Sequence, residues 1–542
     1  MGAIAIVLSM LLAVSVSSPV ARATGWPAPL VQIALGAAIG FLGLPAIALD
    51  PEKFFLLFLP PLLFLDGWRI PKDELFRDAA TVLRLALGLV LFTVLGMGLF
   101  IHWLLPAMPL SVAFALAAVI SPTDPIAVSS VAARTPVPPR VMHILEGESL
   151  LNDASGLVCM RFAVAATLTG SFSLGQALLS FAWLALGGVA VGAALAWGVS
   201  RAERRATHWI GPDAGNYVLV TLLIPFGAYL LAEELHASGV LAAVAAGITM
   251  SFVSQPHGHG STRVQRTAVW DMVQLVANGS IFVLLGQQLP PIVTAAGRTV
   301  HDTGHVAAAW LLLYVVAIVV GLAALRLAWV WVSLQAQSWR ARRRGEEAAP
   351  IGVRLLLVVS LAGVRGAVTL AGVLTLPLAL PGGAPFPGRD LAIAMAAGVI
   401  LLSLLLATSA LPRLLRGLEL PPDTSERALE DRVRRAALRA AVQAIEAAQP
   451  EVAAGLADPG VAAEAAARMV MHYQLRMDSL RGDPEDAGQR GQVEEIEQRL
   501  RLVALRAERE AIERCGREMG LAELARRRLL HEIDLLEARY GT

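Results

Sequence analysis

Long apolar runs alternate with short polar segments over the first three quarters of the chain. The runs approach the ~20 residues that a helix needs to cross a bilayer, so they predict transmembrane helices. The second and ninth runs are short, which leaves twelve spans as an alternative to thirteen. The thirteen runs cover residues 2–21, 28–48, 54–70, 80–105, 110–132, 146–169, 173–200, 215–235, 237–253, 268–288, 305–335, 351–380 and 389–412.

Composition agrees with a polytopic membrane protein. The 542 residues are 56% hydrophobic and only 16% charged, and the mean hydropathy is +0.62, whereas a soluble domain is about 25% charged. The net charge of +1 gives no indication of nucleic-acid binding. No P-loop, dinucleotide fingerprint or zinc-binding spacing occurs in the sequence. We therefore expect an all-α polytopic membrane protein that is not an enzyme, has no cofactor and does not use ATP within this chain.

The distribution of basic residues predicts the orientation. Loops after odd-numbered runs carry most of the arginines and lysines, whereas loops after even-numbered runs carry only Lys53, Arg298 and Arg389. Because basic loops stay in the cytoplasm, the N-terminus is expected outside and the C-terminus inside. No basic residue precedes the first apolar run, which favours a retained helix over a cleaved signal peptide.

The charge density divides the chain into two domains. Residues 1–416 form the predicted transmembrane domain, and the charge-rich residues 417–542 form a predicted cytoplasmic regulatory tail. Apolar residues recur in the tail at helical spacing, as at Ile496, Leu500 and Val503. The tail is therefore expected to be helical and to pack on itself or on a partner.

The fifth run contains Ser121-Pro122-Thr123-Asp124-Pro125. Two prolines three residues apart remove backbone donors and disfavour helix in the residues before them. A break at this depth is tolerated only where the freed backbone groups meet protein or line a cavity. Broken helices hold ions in many secondary transporters. The alternative is a simple proline kink in which Asp124 caps the resumed helix.

The sixth run contains Glu148, Ser149, Asn152 and Asp153. Their spacings of three and four residues place all four on one face of a helix. This face offers oxygen ligands for a hard monovalent cation, and a carboxyl group can carry either a cation or a proton. Placement of the helix end at the lipid headgroups would explain Glu148 but not the deeper Asp153.

The twelfth run contains a lone arginine, Arg365, between Gly363 and Gly366. An arginine deep in an apolar run needs a counter-ion, and Glu148 is the candidate for a structural salt bridge. That pairing would leave Asp153 as the one titrating carboxylate of the site. Exchange would then be one proton for one cation and electrically silent.

These motifs together resemble the monovalent cation:proton antiporter-1 family, the branch that includes the bacterial NhaP-type sodium/proton exchangers. The resemblance is carried by Thr123–Pro125, Gly147–Asp153, Gly363–Ala367 and Leu59–Gly67, and it covers roughly residues 25–415. It implies inverted repeats with two crossed discontinuous helices, broken at Pro122, Pro125, Gly363 and Gly366. It also implies a homodimer that works by elevator-type alternating access.

The resemblance also implies residue roles. Asp153 is the ion- and proton-binding carboxylate, and Asn152 occupies the position where electrogenic members have a second aspartate. Arg365 is the arginine paired with Glu148. The remaining ion-site residues are Asp124, Thr123 and Ser149, and Na⁺ is expected at Asp153, Ser149 and Thr123.

The predicted function is exchange of Na⁺, or of K⁺ or Li⁺, for protons across a bacterial plasma membrane, in pH, Na⁺ and volume homeostasis. A K⁺/H⁺ antiporter of the same fold is the alternative. A cation channel would need rings of selectivity residues from pore loops, and no such loop is recognisable. A transporter-derived sensor would depend on the tail and would lose its output if the tail were deleted.

Overall fold

The computed structural model of the chain forms two compact units, Met1–Glu419 and Leu420–Thr542. All regular secondary structure among the described residues is helical, apart from one isolated β-bridge between Ala379 and Pro385. The residues described are 2–42, 51–69, 79–124, 139–169, 174–211, 213–253, 260–302, 309–343, 353–380, 382–415, 424–454, 458–478, 487–519, 521 and 523–540.

The first unit contains the apolar helices that the hydropathy pattern predicted. They are α1 (Gly2–Thr24), α2 (Ala28–Phe41), α3 (Pro51–Arg69), α4 (Ala79–Leu104), α5 (Leu110–Ile120), α6 (Pro139–Thr169), α7 (Leu174–Ile210), α8 (Ala214–Glu234), α9 (Gly239–Val253), α10 (Gly260–Asp302), α11 (Ala309–Arg343), α12 (Val353–Leu361), α13 (Ala367–Leu374) and α14 (Arg389–Leu415).

Six helices of the described part are long and apolar enough to cross a bilayer on their own. They contain the segments Val7–Thr24, Ala182–Ile210, Ala214–Glu234, Thr262–Pro290, Trp310–Ser333 and Arg389–Leu415. Five shorter apolar helices accompany them. Two of the predicted runs contain helices too short to span because a non-helical segment follows α5 and another separates α12 from α13. The chain is thus an α-helical membrane protein.

The helices of the first unit pack into two groups, with sparser contacts between the groups than within them. The α10 group comprises α1, α2, α3, α7, α8, α9 and α10, and the α6 group comprises α4, α5, α6, α11, α12, α13 and α14. Small residues allow close packing inside the α10 group. Gly36 of α2 lies against the backbone of Val283 on α10, and Gly247 of α9 lies against the backbone of Phe64 on α3. The groups meet chiefly where α10 and α3 contact α13 and α14.

The second unit contains four polar helices that pair in chain order. α15 (Thr424–Ala454) packs on α16 (Pro459–Asp478), and α17 (Ala487–Glu518) packs on α18 (Glu523–Tyr540). Ion pairs at i,i+4 spacing, such as Glu430 with Arg434, lie on exposed surfaces. The predicted helical character of the tail is confirmed over the described residues.

Candidate cation-binding site

The first element of the site is the end of α5. The helix stops at Ile120, and Ser121 to Asp124 continue without helical hydrogen bonding. Pro122 has no amide hydrogen and disfavours helix in the residue before it. α5 therefore ends where the sequence predicted a break. Pro125 lies outside the described residues.

The second element is the interruption between α12 and α13. α12 ends at Leu361 and α13 begins at Ala367, with Gly366 at its N-cap in an extended conformation. Both glycines predicted to mark a break, Gly363 and Gly366, are buried within this segment. α12 thus ends and α13 begins on either side of a short non-helical segment inside the α6 group.

The two breaks contact each other directly. The backbone N–H of Asp124 donates to the carbonyl oxygen of Val364 at 2.7 Å. The Asp124 carboxylate occupies the space that a side chain on Gly366 would need. Its negative charge therefore lies at the N-terminus of α13, where a helix dipole favours an anion.

Arg365 supplies the complementary charge at the end of α5. Its Nε donates to the carbonyl oxygen of Ile120 at 2.8 Å, and Nη1 donates to the carbonyl oxygen of Gly363. Its own N–H donates to Oγ of Ser403 on α14 at 3.2 Å. The side chain is only 6% exposed. A cation at the C-terminus of α5 and an anion at the N-terminus of α13 stabilise both interrupted helices.

The side chain of Glu148 lies outside the described residues. The predicted salt bridge between Glu148 and Arg365 therefore stays a prediction. The Arg365 guanidinium does donate to the backbone carbonyls of Ile120 and Gly363.

The end of α5 and the segment between α12 and α13 meet in what we call the crossing, where Asp124 contacts Val364 and Arg365 contacts Ile120. The α6 residues approach this crossing from one side. Ser149, Asn152 and Asp153 are all buried, as expected for one inward helical face, and Asp153 is 7% exposed. The Ser149 hydroxyl donates to the carbonyl oxygen of Thr123 at 2.7 Å. α6 is thereby tied to the break after α5, next to the Asp153 carboxylate.

Acidic groups surround Asp153. The carboxylates of Asp124 and Asp66 lie near enough to act on it electrostatically. Asp66 comes from α3 in the α10 group, whereas the other two belong to the α6 group. Three carboxylates in one neighbourhood, with hydroxyl and carbonyl oxygens beside them, form an environment that attracts a cation.

Two residues near the site were not predicted to belong to it. Asp66 lies in the Leu59–Gly67 motif but was given no role there. Arg326 on α11 is 3% exposed and packs against the backbone of Gly363. The rule that drew attention to Arg365, a lone arginine in an apolar run, applies equally to Arg326 and would have found it.

The comparisons with known proteins agree with this geometry. The family model described as sodium/hydrogen exchanger, transmembrane, matches residues 7–417. The chain belongs to the sodium/hydrogen exchanger family. The exchanger is 38% identical to the uncharacterized Na⁺/H⁺ exchanger YjcE of Escherichia coli K12, with 98% of both chains covered. It is 35% identical to a Bacillus pumilus protein named sodium, potassium, lithium and rubidium/H⁺ antiporter, covering 94% of this chain and 74% of that one.

A solved structure shows the same fold. The sodium proton antiporter MjNhaP1 of Methanocaldococcus jannaschii aligns with 77% of the exchanger and 99% of its own chain, at a TM-score of 0.56 and 21% identity. The predicted NhaP-like resemblance is thus confirmed at the level of family and fold. The family is one of cation/proton antiporters, which are transporters.

We expect Arg365→Ala to lower the yield of folded exchanger. Loss of the guanidinium leaves the buried Ile120 carbonyl without its charged donor, and such hydrogen bonds contribute about 1.5–3 kcal/mol. Arg365→Lys should recover only part of the loss because an ammonium cannot contact both breaks as a planar fork does. Size-exclusion profiles and thermal midpoints in detergent measure the effect.

The matched control is Arg22→Ala at the exposed end of α1, which should behave as the parent. A fully stable Arg365→Ala protein would show that the crossing does not depend on this side chain. Combining Arg365→Ala with Glu148→Ala tests the predicted salt bridge. If the two side chains pair, the double variant loses less than the sum of the single losses.

Proposed function

We propose that the chain is a secondary antiporter that exchanges Na⁺ or a related monovalent cation for H⁺, with Asp153 carrying the two ions alternately. The observation that carries the proposal is the position of Asp153: buried on α6, beside two helix breaks whose ends are already neutralised by Asp124 and Arg365. Of the two neighbouring carboxylates in the α6 group, Asp124 is committed to the N-terminus of α13, so we assign the transported ion to Asp153.

The cation would be held by oxygen atoms. Asp153 supplies a carboxylate, and Ser149 supplies a hydroxyl oxygen whose lone pairs are free of its hydrogen bond to Thr123. Thr123 and Asn152 complete the proposed site. A proton on Asp153 removes the negative charge that binds the cation, so the two ions compete for one place. Ion gradients alone drive such a cycle, with no cofactor.

Alternating access would come from movement of the α6 group against the α10 group. The sparse packing between the groups supports this division. We further propose a homodimer in the plasma membrane with thirteen spans arranged as inverted repeats, an external N-terminus and a cytoplasmic C-terminus. Residues 417–542 would then be a cytoplasmic regulatory domain, and the exchanger would serve pH, Na⁺ and volume homeostasis.

The cation range is proposed to extend beyond Na⁺. The named activity of the Bacillus pumilus relative covers sodium, potassium, lithium and rubidium. Oxygen ligands bind all of these ions and discriminate among them by cavity size. K⁺/H⁺ exchange by the same site is therefore the second candidate function. Dye-monitored proton movement in proteoliposomes across a Na⁺, K⁺, Li⁺ and Rb⁺ series tests both.

We expect exchange to be electrically silent. If Asp153 carries one proton in one direction and one monovalent cation in the other, no net charge crosses the membrane. Proteoliposomes carrying a potential-sensitive dye should show proton movement without a voltage change. Clamping the membrane potential at zero with valinomycin and equal K⁺ on both sides should leave the rate of Na⁺-driven exchange unaltered. A current on solid-supported membranes that scales with turnover would contradict the one-for-one stoichiometry.

A further inference from the structure

An ion pair joins the two helix groups at a distance from the cation site. Nη2 of Arg161 on α6 lies 2.8 Å from Oε1 of Glu233 on α8. Both side chains are about one third exposed, at 35% and 36%. The pair therefore bridges the α6 group and the α10 group.

Glu233 is held in place by its own group. Its Oε1 also accepts the backbone N–H of Gly239, the first residue of α9, at 3.2 Å. A carboxylate at a helix N-terminus is favoured by the helix dipole. The turn between α8 and α9 is fixed in addition by the N–H of Ser238, which donates to the carbonyl of Leu184 on α7 at 3.0 Å. Glu233 thus keeps its position whether or not Arg161 is present.

Arg161 is held by the other group and on the same helix as the site. It follows Asp153 by eight residues, which is about 12 Å along α6 at 1.5 Å per residue. The residues of α6 that follow Asp153 lead towards the face of the membrane that the distribution of basic loops predicts to be outside. Any movement of α6 relative to α8 must change the contact between Arg161 and Glu233.

We propose that Arg161 and Glu233 form a latch that closes the outer side of the exchanger and opens once in each transport cycle. The proposal rests on the alternating-access function proposed above. A partly exposed ion pair is weak enough to open readily, so the latch biases the protein towards the state open to the cytoplasm without trapping it there. Glu233 is the fixed half of the latch and Arg161 is the moving half.

The first test measures apparent affinity at each face. The apparent KM on a face rises as the fraction of protein open to that face falls. In Glu233→Gln the ratio of the outer KM to the inner KM for Na⁺ should fall about two- to five-fold, the range expected for a partly exposed pair. Right-side-out and inverted membrane vesicles give the two constants. Glu234→Gln, which alters the exposed neighbouring acid, is the matched control.

Arg161→Gln should give the same shift, and the double variant should give no further shift. A change that affected only folding would alter the amount of active protein and leave the ratio untouched. A ratio in Glu233→Gln equal to that in Glu234→Gln would overturn the latch. If the parent protein shows no exchange at either face, the proposed function fails, and the latch, which rests on it, fails with it.

The second test fixes the latch covalently. The chain has two cysteines, Cys159 and Cys515, so Cys159→Ser and Cys515→Ser give a background for Arg161→Cys with Glu233→Cys. Arg161 and Glu233 meet through long side chains, so cysteines at these positions are expected to be too far apart for a direct disulfide. A short bis-methanethiosulfonate reagent can join them across that distance. Cross-linking should stop exchange, and reduction should restore it. Full exchange by the cross-linked protein would show that α6 and α8 do not separate.

Discussion

Asp153→Asn should abolish cation-dependent proton exchange while leaving the exchanger folded. Asparagine has nearly the same shape as aspartate. Its neutral amide, however, does not take up a proton near neutral pH and has no negative charge to balance that of a cation. The contacts that build the crossing, Asp124 with Val364 and Arg365 with Ile120, do not involve Asp153 and should persist. Proteoliposomes with an internal pH-sensitive dye, given an outward Na⁺ gradient, measure the loss.

The same chemical change elsewhere provides the control. Asp390 lies at the start of α14 with a side chain that is 60% exposed, and Asp390→Asn should exchange at the parental rate. Thermal unfolding in detergent should give Asp153→Asn a midpoint no lower than that of the parent, since an uncompensated buried carboxylate has been removed. Full exchange by Asp153→Asn would remove the residue from its proposed role.

Much of this site could be predicted because its signals are local. Ser149, Asn152 and Asp153 share a face by helical periodicity alone, and the structure buries all three. Pro122 disfavours helix through sterics that act within one or two residues, so the end of α5 was also predictable. These properties depend on neighbours in the chain and need no knowledge of the tertiary fold.

The partners across the crossing could not be predicted in the same way. Arg365 and Ile120 are 245 positions apart in the chain, and nothing in either local sequence specifies the other. The carbonyls of Ile120 and Gly363 were not foreseen as partners of Arg365, because the carbonyls that a helix end leaves without a partner are not visible in a hydropathy pattern. Which helix ends meet each other is decided by tertiary packing.

Hydropathy was a better guide to helices than to spans. It predicted apolar segments at α5 and α12 correctly. A hydropathy window, however, averages over a break and reports one continuous transmembrane helix. The structure divides the twelfth run into α12 and α13, which meet the length of a span only together. A hydropathy average also gives no sign of the backbone N–H and C=O groups that a break leaves without helical partners, because glycine and proline side chains add little polarity.

Gly366→Ala should reduce exchange by at least tenfold and also lower the folded yield. A methyl group on residue 366 would overlap the carboxylate of Asp124. This carboxylate lies at the N-terminus of α13 and has little room to move away. Relief requires Asp124 or α13 to shift, and displacements of about 1 Å in a functional site can cost about 100-fold in rate. The exchange assay and the detergent thermal midpoint together measure the effect.

Alanine substitutions at two other glycines serve as controls, with no effect expected at one and an intermediate effect at the other. Gly382 lies in the loop before α14 with no atom within 4 Å of a prospective Cβ, so Gly382→Ala should be neutral. At Gly363 the nearest atoms belong to the Arg326 and Arg365 side chains, at 3.0 to 3.3 Å from a prospective Cβ. Those chains can adjust by a few tenths of an ångström, so Gly363→Ala should fall between the other two variants. An equal effect at all three positions would mean that alanine acts through the unfolded chain.

The double variant Asp124→Ala with Gly366→Ala distinguishes steric overlap with the Asp124 carboxylate from the electrostatic role of that carboxylate. Removing the carboxylate clears the space for the new methyl group, so the folded yield should recover relative to Gly366→Ala alone. Exchange should stay low because the N-terminus of α13 has lost its anion and the Asp153 neighbourhood has lost one of its three acids. Recovery of both properties would show that Asp124 fills space at the crossing and has no electrostatic role. Recovery of neither would place the damage outside the contact between Asp124 and Gly366.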